Sequence, residues 1–126
     1  MTMVKRHIRH TESTLQRNCV KWFRYQWPSY ALNLIAIPNG GARSIVEASI
    51  MKGEGVTAGA ADLFFFYPSG RYHGLAIEMK SFDGTWRESQ KKWAKAIEDV
   101  GYKYVLCRSF EQFTTIIDNY IAGNLI

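Results

Sequence analysis

The sequence predicts an α/β fold, a mixed β-sheet flanked by helices, in the order helix, strand, helix, strand hairpin, helix, strand, helix. Three observations carry this. Segments with apolar residues at helical spacing alternate with short apolar runs suited to strands. The run ADLFFFY, Ala61 to Tyr67, is apolar on both faces, as a central strand covered on both sides must be. Pro68-Ser69-Gly70 then leaves so little chain that the strands on either side of it form an antiparallel hairpin.

Residues 1–10, MTMVKRHIRH, are basic and are expected to form a flexible N-terminal arm. Thr11 is the expected N-cap of a helix reaching about Tyr25, with Leu15, Cys19, Trp22 and Phe23 as its inner stripe. Pro28 closes that region, and Leu32 to Ile37 fits a short strand. Pro38-Asn39-Gly40-Gly41 is a turn. Ser44 to Lys52 is expected to be helical, with Gly53 and Gly55 stopping it. Beyond ADLFFFY and its turn, Tyr72 opens a strand that runs to about Lys80, where Phe82-Asp83-Gly84 breaks it. Trp86 to Val100 is a helix with Trp86, Trp93, Ile97 and Val100 at core spacing and Gly101 as its stop. Lys103 to Cys107 is a strand. Phe110 to Ile121 is a last helix with Phe113, Ile116, Ile117 and Tyr120 on one face.

A chain of 126 residues suits one domain, and 47% hydrophobic with 14% aromatic content argues against disorder. No apolar run is long enough to cross a bilayer. The charged N-terminus is not followed by the apolar stretch of a signal peptide, so a cytoplasmic protein is expected. Cys19 and Cys107 sit far apart in apolar surroundings and are expected to be reduced; neither they nor His7, His10 and His73 have metal-ligand spacing. The net charge of +5, from sixteen basic and eleven acidic residues, favours a polyanionic partner, although a merely soluble basic protein has the same balance.

The segment LAIEMKS, Leu75 to Ser81, carries the chemistry. Alternation puts Ala76, Glu78 and Lys80 on one face of the strand and Leu75, Ile77 and Met79 on the other. In the hairpin, Asp62 and Glu78 each lie roughly eight residues from the centre of the turn, so one acid from each strand converges beside a lysine. Two close carboxylates repel, and one tends to stay protonated unless a cation joins them. Mg²⁺ prefers such oxygen ligands, and at a phosphodiester it polarises an oxygen and activates water. Taken alone, Glu78-Met79-Lys80 is more simply an ion pair at a sheet edge; the upstream Asp62 gives the pattern its specificity.

Two more polar residues stand on apolar faces. Gln90 falls on the stripe of Trp86 and Trp93, where an inward amide needs partners, either a backbone edge or the cleft beside Glu78. Glu12 lies at the end of the first helix's inner stripe, either as a first-turn acid favoured by the helix dipole or as a third acid reaching the cleft.

Asp62 followed by Glu78-Met79-Lys80 resembles the PD-(D/E)XK nuclease signature, and the chain more narrowly resembles a stand-alone VRR-NUC domain over 1–126. The matching pieces, in the family's order, are Glu12 and Gln16, Ile37-Pro38-Asn39-Gly40-Gly41, the run Gly55 to Leu63 (GVTAGAADL), Glu78-Met79-Lys80, and Ser89-Gln90 before Gly101. Ala61 stands where the superfamily's name has proline, a structural position. The resemblance implies a restriction-endonuclease-like core and Mg²⁺- or Mn²⁺-dependent hydrolysis of DNA phosphodiesters. It implies that Asp62, Glu78 and the Met79 backbone carbonyl bind metal, that Lys80 positions or activates water, that Gln90 supports the site, and that Glu12 acts through a water or a second metal. Small stand-alone members, typical of phages and bacteria, resemble Holliday-junction resolvases and work as homodimers, and a two-fold dimer matches a four-way junction. Asn39, Gly40, Gly41, Arg43, Arg87 and Lys91 are the candidate DNA contacts, with Lys92 and Lys95 beside them and Lys5, Arg6 and Arg9 on the arm; each is also an ordinary solvated surface residue. The alternatives are a general or nicking DNA nuclease without junction preference and a non-catalytic nucleic-acid-binding module.

Overall fold

A computed structural model describes residues 3–38 and 44–125, and of residues 3–10 the backbone. Helix α1 spans Met3–Gln26, strand β1 Leu34–Ala36, helix α2 Ile45–Gly53, strand β2 Leu63–Phe65, strand β3 Leu75–Met79, helix α3 Glu88–Glu98, strand β4 Lys103–Cys107 and helix α4 Phe110–Ile121. A 3₁₀ helix, Pro28–Asn33, joins α1 to β1.

The four strands lie in the order β1-β2-β3-β4. The first two pairings are antiparallel, and β3 pairs with β4 in parallel, with α3 as the crossover between them. This is the expected mixed sheet with flanking helices. Helices α1 and α4 cover one face, where Cys19 and Phe23 of α1 and Phe113, Ile116, Ile117 and Tyr120 of α4 pack on Leu63, Phe65, Leu75, Ile77, Met79 and Cys107. Helix α3 covers the other face, where the buried residues are Ala61, Ala76, Ala94 and Tyr104, with Phe64, Trp86, Trp93 and Ile97 against them. Three alanines there let the helix lie close to the sheet. Every residue of β3 is buried, because the strand is central and both its faces are covered.

The helix caps follow local chemistry. The Ser44 hydroxyl accepts from Glu47 N at 3.0 Å, and the Ser109 hydroxyl accepts from Gln112 N at 3.1 Å.

Several expectations change. Helix α1 begins at Met3, so Thr11 is not its cap and residues 3–10 continue the helix. No proline or glycine interrupts Met3–Gln26, and nothing stops helical hydrogen bonding before Pro28. Leu32 belongs to the 3₁₀ helix and is 95% exposed; pairing in β1 covers only three residues. Strand β2 is likewise three residues long, and Phe66, at its end, is 54% exposed. Val100 lies beyond α3 and is exposed, while Trp86, Trp93 and Ile97 pack as expected.

Candidate active site

The hairpin register pairs Leu63 with Ile77, Phe64 with Ala76 and Phe65 with Leu75. One step further along the same register sets Asp62 opposite Glu78, on one face of the sheet. Ala76 packs under α3 while Leu75, Ile77 and Met79 enter the α1–α4 core, which is the division of faces that alternation requires. Glu78 and Lys80 are each 3% exposed. A short apolar strand therefore carries an acid and a base into a buried position at its C-terminal end.

Each carboxylate has an assigned neighbour. Asp62 Oδ2 accepts from the backbone N–H of Met79 at 2.8 Å, which fixes the aspartate to the very residue between Glu78 and Lys80. Gln90 Nε2 donates to Glu78 Oε2 at 3.3 Å, and Gln90 Oε1 accepts from Arg87 N at 2.9 Å. The inward amide is thus satisfied on both sides: it closes the first turn of α3 and holds Glu78 at the same time. Glu78 Oε1 is buried without a hydrogen-bond partner among the described residues. An unpartnered buried carboxylate oxygen is costly unless a proton or a cation satisfies it.

The electrostatics agree. Burial comes first, then the nearby Asp62 carboxylate, which a protonated Glu78 would meet as a hydrogen-bond donor and an ionised one as a like charge; together they push the Glu78 carboxyl from its usual range up to about 9, while Lys80 opposes this shift and Glu12 adds to it. By itself, then, Glu78 stays protonated at neutral pH. A divalent cation between the two acids would replace that proton and favour both charged forms. Tyr104, buried beneath α3 with its hydroxyl 3.3 Å from Trp86 Nε1, is also pushed up, by burial first and by the charges of Glu78 and Asp62.

Glu12 comes to the end of β3 from the opposite face of the sheet. Its Oε1 accepts from Ser81 N at 3.1 Å. Among the described residues no group of three or more His, Cys, Asp or Glu side chains is gathered so as to hold a metal ion, so Glu12 does not complete a three-acid cluster in this conformation. The donor set is two carboxylates with the backbone at Met79 between them. Hard oxygen donors, one of them an orphan, fit Mg²⁺ or Mn²⁺, which keep several waters and need few protein ligands.

The chain after Lys80 is tied down by residues that sequence reasoning missed. Arg108 Nη1 donates to Ser81 O at 2.9 Å and to Gly84 O at 2.8 Å. Gly84 lies close against the Glu12 side chain, since a Cβ there would stand 2.9 Å from Glu12 Oε1 and 3.1 Å from Ser81 Oγ and would push the Glu12 carboxylate aside. On the far side, Gly59 touches the start of α3: a Cβ would meet Ser89 O at 2.2 Å and Gln90 N at 2.9 Å. The GAAD run packs its backbone directly on the helix that supplies Gln90.

The candidate DNA contacts divide. Asn39, Gly40, Gly41 and Arg43 lie outside the described residues, as do the side chains of Lys5, Arg6 and Arg9. Arg87 is exposed at the start of α3. Lys91 is bridged to Glu88 at 3.2 Å and lies 5.6 Å from the Trp86 ring centre; Lys95 is bridged to Asp99 at 2.9 Å. A hollow of about 340 Å³ lies between Ile37, Pro38, Gly55 to Thr57, Ala60 and Trp93; it adjoins the Asp62 segment but does not include Asp62, Glu78 or Lys80.

The sequence matches the VRR-NUC domain over residues 4–111. The chain belongs to the VRR-NUC family. A solved structure described as a VRR_NUC domain protein superposes with a TM-score of 0.78 at 26% identity, covering 90% of this chain and 89% of that one. No curated protein matches the sequence significantly. VRR-NUC domains are nuclease domains, so this chain carries a nuclease fold with a nucleic acid as its implied substrate. Among the described residues no helix is long and apolar enough to cross a membrane.

Proposed function

We propose that this VRR-NUC domain is a divalent-metal-dependent DNA endonuclease that hydrolyses phosphodiester bonds, selective for branched DNA and above all four-way junctions. The observation that carries the reading is the opposition of Asp62 and Glu78 across the hairpin, with the buried, unpartnered Glu78 Oε1 beside Lys80. The Asp62 and Glu78 carboxylates and the Met79 carbonyl would hold Mg²⁺ or Mn²⁺, with Glu12 reaching it only through water. A bound ion would supply Lewis-acid polarisation of the scissile phosphate and a lowered pKa for water.

The chain's own residues do the rest. Asp62 is oriented toward the strand end by the Met79 N–H. Gln90 holds the Glu78 side chain by its amide and leaves Oε1 without a partner among the described residues. Lys80, on the same face as Glu78, presents an ammonium that orients the attacking water and offsets charge growing on the phosphate oxygens. The buried setting strengthens each of these interactions over its value in water.

Two features support paired incision by a homodimer. Helix α2 buries none of its residues, and Ile45, Val46 and Ile50 are 89%, 68% and 56% exposed. Strand β1 is an outer strand of the sheet, and its own Ile35 is exposed. A second copy laid against these apolar surfaces would cover both, and a two-fold pair of sites matches the symmetry of a four-way junction.

The test is a cleavage panel of four-way junction, flap and linear duplex with Mg²⁺ or EDTA, using wild type and Asp62→Asn. Incision confined to Mg²⁺, fastest on the junction, and lost in the variant with DNA binding retained is the expected result. Equal rates on all three substrates would reject junction selectivity, and activity in EDTA would reject the metal mechanism. Light scattering that finds only monomers at working concentration would reject the dimer.

A further inference from the structure

Beyond Lys80 the chain makes a tight loop, with Gly84 N donating to Ser81 O at 3.1 Å. The loop is held from two sides and tied within itself. Glu12 accepts from Ser81 N, Arg108 bridges the carbonyls of Ser81 and Gly84 through one nitrogen, and Ser81 Oγ lies 3.3 Å from Asp83 Oδ1. Lys80 and Ser81 are each 3% exposed, yet Phe82, the next residue, is 93% exposed. Burying a phenylalanine side chain is worth roughly 1.5–3 kcal/mol, so a ring held in water on an anchored turn is an unused apolar contact. It stands two residues from the catalytic lysine. Arg108 is also only half used: its Nη1 serves the loop, and its other donors, Nε and Nη2, have no partner among the described residues.

We propose that Phe82 is a stacking contact for a nucleobase displaced from its pair beside the scissile phosphate, and that Arg108 positions the loop while its free edge meets a neighbouring phosphate. The proposal rests on the nuclease reading and deepens it, because it names the feature of the substrate that is recognised. Every base offers a π-face, so stacking is indifferent to sequence, but within a continuous duplex that face is covered by its neighbours. A fixed aromatic ring at the cleavage site therefore selects DNA in which a base is already unstacked: a branch point, a flap or a frayed end. The arginine supplies the sequence-independent backbone contact that sets register.

The experiment uses a four-way junction and a linear duplex, each carrying 2-aminopurine at positions flanking the incision site. Fluorescence is read on binding in EDTA, and cleavage is read separately in Mg²⁺. The wild type is expected to change the fluorescence of the branch-point probe and not that of the duplex probe. Phe82→Ala is expected to lose the fluorescence change and to raise KM on the junction by roughly 5- to 150-fold, the range for removing one base–aromatic stack, and to raise KM on the duplex by less. Phe82→Trp is expected to restore both. Because the ring is exposed, neither substitution removes a core contact. Junction KM in Phe82→Ala within twofold of wild type, or an equal loss on junction and duplex, would overturn the proposal. A wild type that cleaves none of these DNAs would instead overturn the nuclease reading; if it still perturbs the branch-point probe through Phe82, the stacking contact stands by itself.

Discussion

Replacing Gly59 by alanine tests how the candidate active site is held together. Gly59 has φ +89, and a Cβ there would lie 2.2 Å from Ser89 O and 2.4 Å from Ser89 C. Alanine in the positive-φ region costs roughly 1–2 kcal/mol, less about 0.4–1 kcal/mol returned by a stiffer unfolded chain. The contact costs more: to reach ordinary van der Waals distance the loop and the first turn of α3 must part by about 1 Å, and such overpacking costs about 1–3 kcal/mol. The expected net loss is about 2–4 kcal/mol of stability. Ser89 and Gln90 move together, so the amide of Gln90 leaves Glu78, and a misplacement of about 1 Å in a catalytic constellation costs on the order of 100-fold in rate. Gly55 is the internal control. Its φ is +105, but nothing among the described residues lies within 4 Å of its would-be Cβ. Gly55→Ala should therefore show the conformational cost alone, with full activity. Urea denaturation and Mg²⁺-dependent cleavage of both variants decide the matter. If Gly59→Ala loses no more stability or activity than Gly55→Ala, then packing of this loop on α3 does not position Gln90.

Other outcomes follow from the same geometry. Gln90→Ala leaves Glu78 Oε2 without its donor and should reduce metal affinity or activity about 10- to 100-fold, measured by titrating Mg²⁺ in the cleavage assay; an unchanged Mg²⁺ response would count against the role of the amide. The stability of the metal-free protein should fall as pH rises from about 4.5 to about 9: the unfolded chain releases the Glu78 proton at the low end, the folded chain only at the high end, and the folded state holds the extra proton between them. Glu78→Gln should flatten that slope in a urea-melt series, and parallel curves for the two proteins would refute it. Arg108→Ala frees the carbonyls of Ser81 and Gly84 and should slow junction cleavage by at least tenfold, with Arg108→Lys recovering only part because one ammonium cannot reproduce the fork; full recovery by lysine would mean that charge alone matters.

How far the sequence reveals this site depends on the range of the interaction. The two faces of β3 are legible because strand alternation has a single period, and a buried acid breaks it visibly. The opposition of Asp62 and Glu78 is legible because the register of a hairpin is set by the chain itself. Gln90 betrays itself as an amide on an apolar stripe, although its bond to Arg87 N is invisible until α3 is seen to begin at Glu88. Arg108 gives no such signal. It is an exposed arginine after a strand, and its meaning lies in two carbonyls 27 and 24 residues earlier, brought near by the parallel pairing of β3 and β4. Glu12 is intermediate: its place on the stripe shows that it points inward, but its capture by Ser81 N depends on a loop anchored by other parts of the fold. The start of α1 is hidden because basic composition suggests a loose arm, whereas helix continuity needs only the absence of a breaker. Strands β1 and β2 are shorter than their apolar runs because pairing, not hydrophobicity, sets where a strand ends, whereas Lys103 to Cys107 pairs over its whole expected length.

The central claim, that the Asp62–Glu78 pair is a divalent-cation site whose proton is held in reserve on Glu78, is tested most directly by calorimetric titration of Mn²⁺ at pH 7.5 in two buffers of different ionisation enthalpy. Wild type should bind at these carboxylates with release of close to one proton, and Glu78→Gln should show neither the binding nor the release. Mn²⁺ binding of equal affinity in Glu78→Gln, or binding by the wild type with no proton released, would contradict the account.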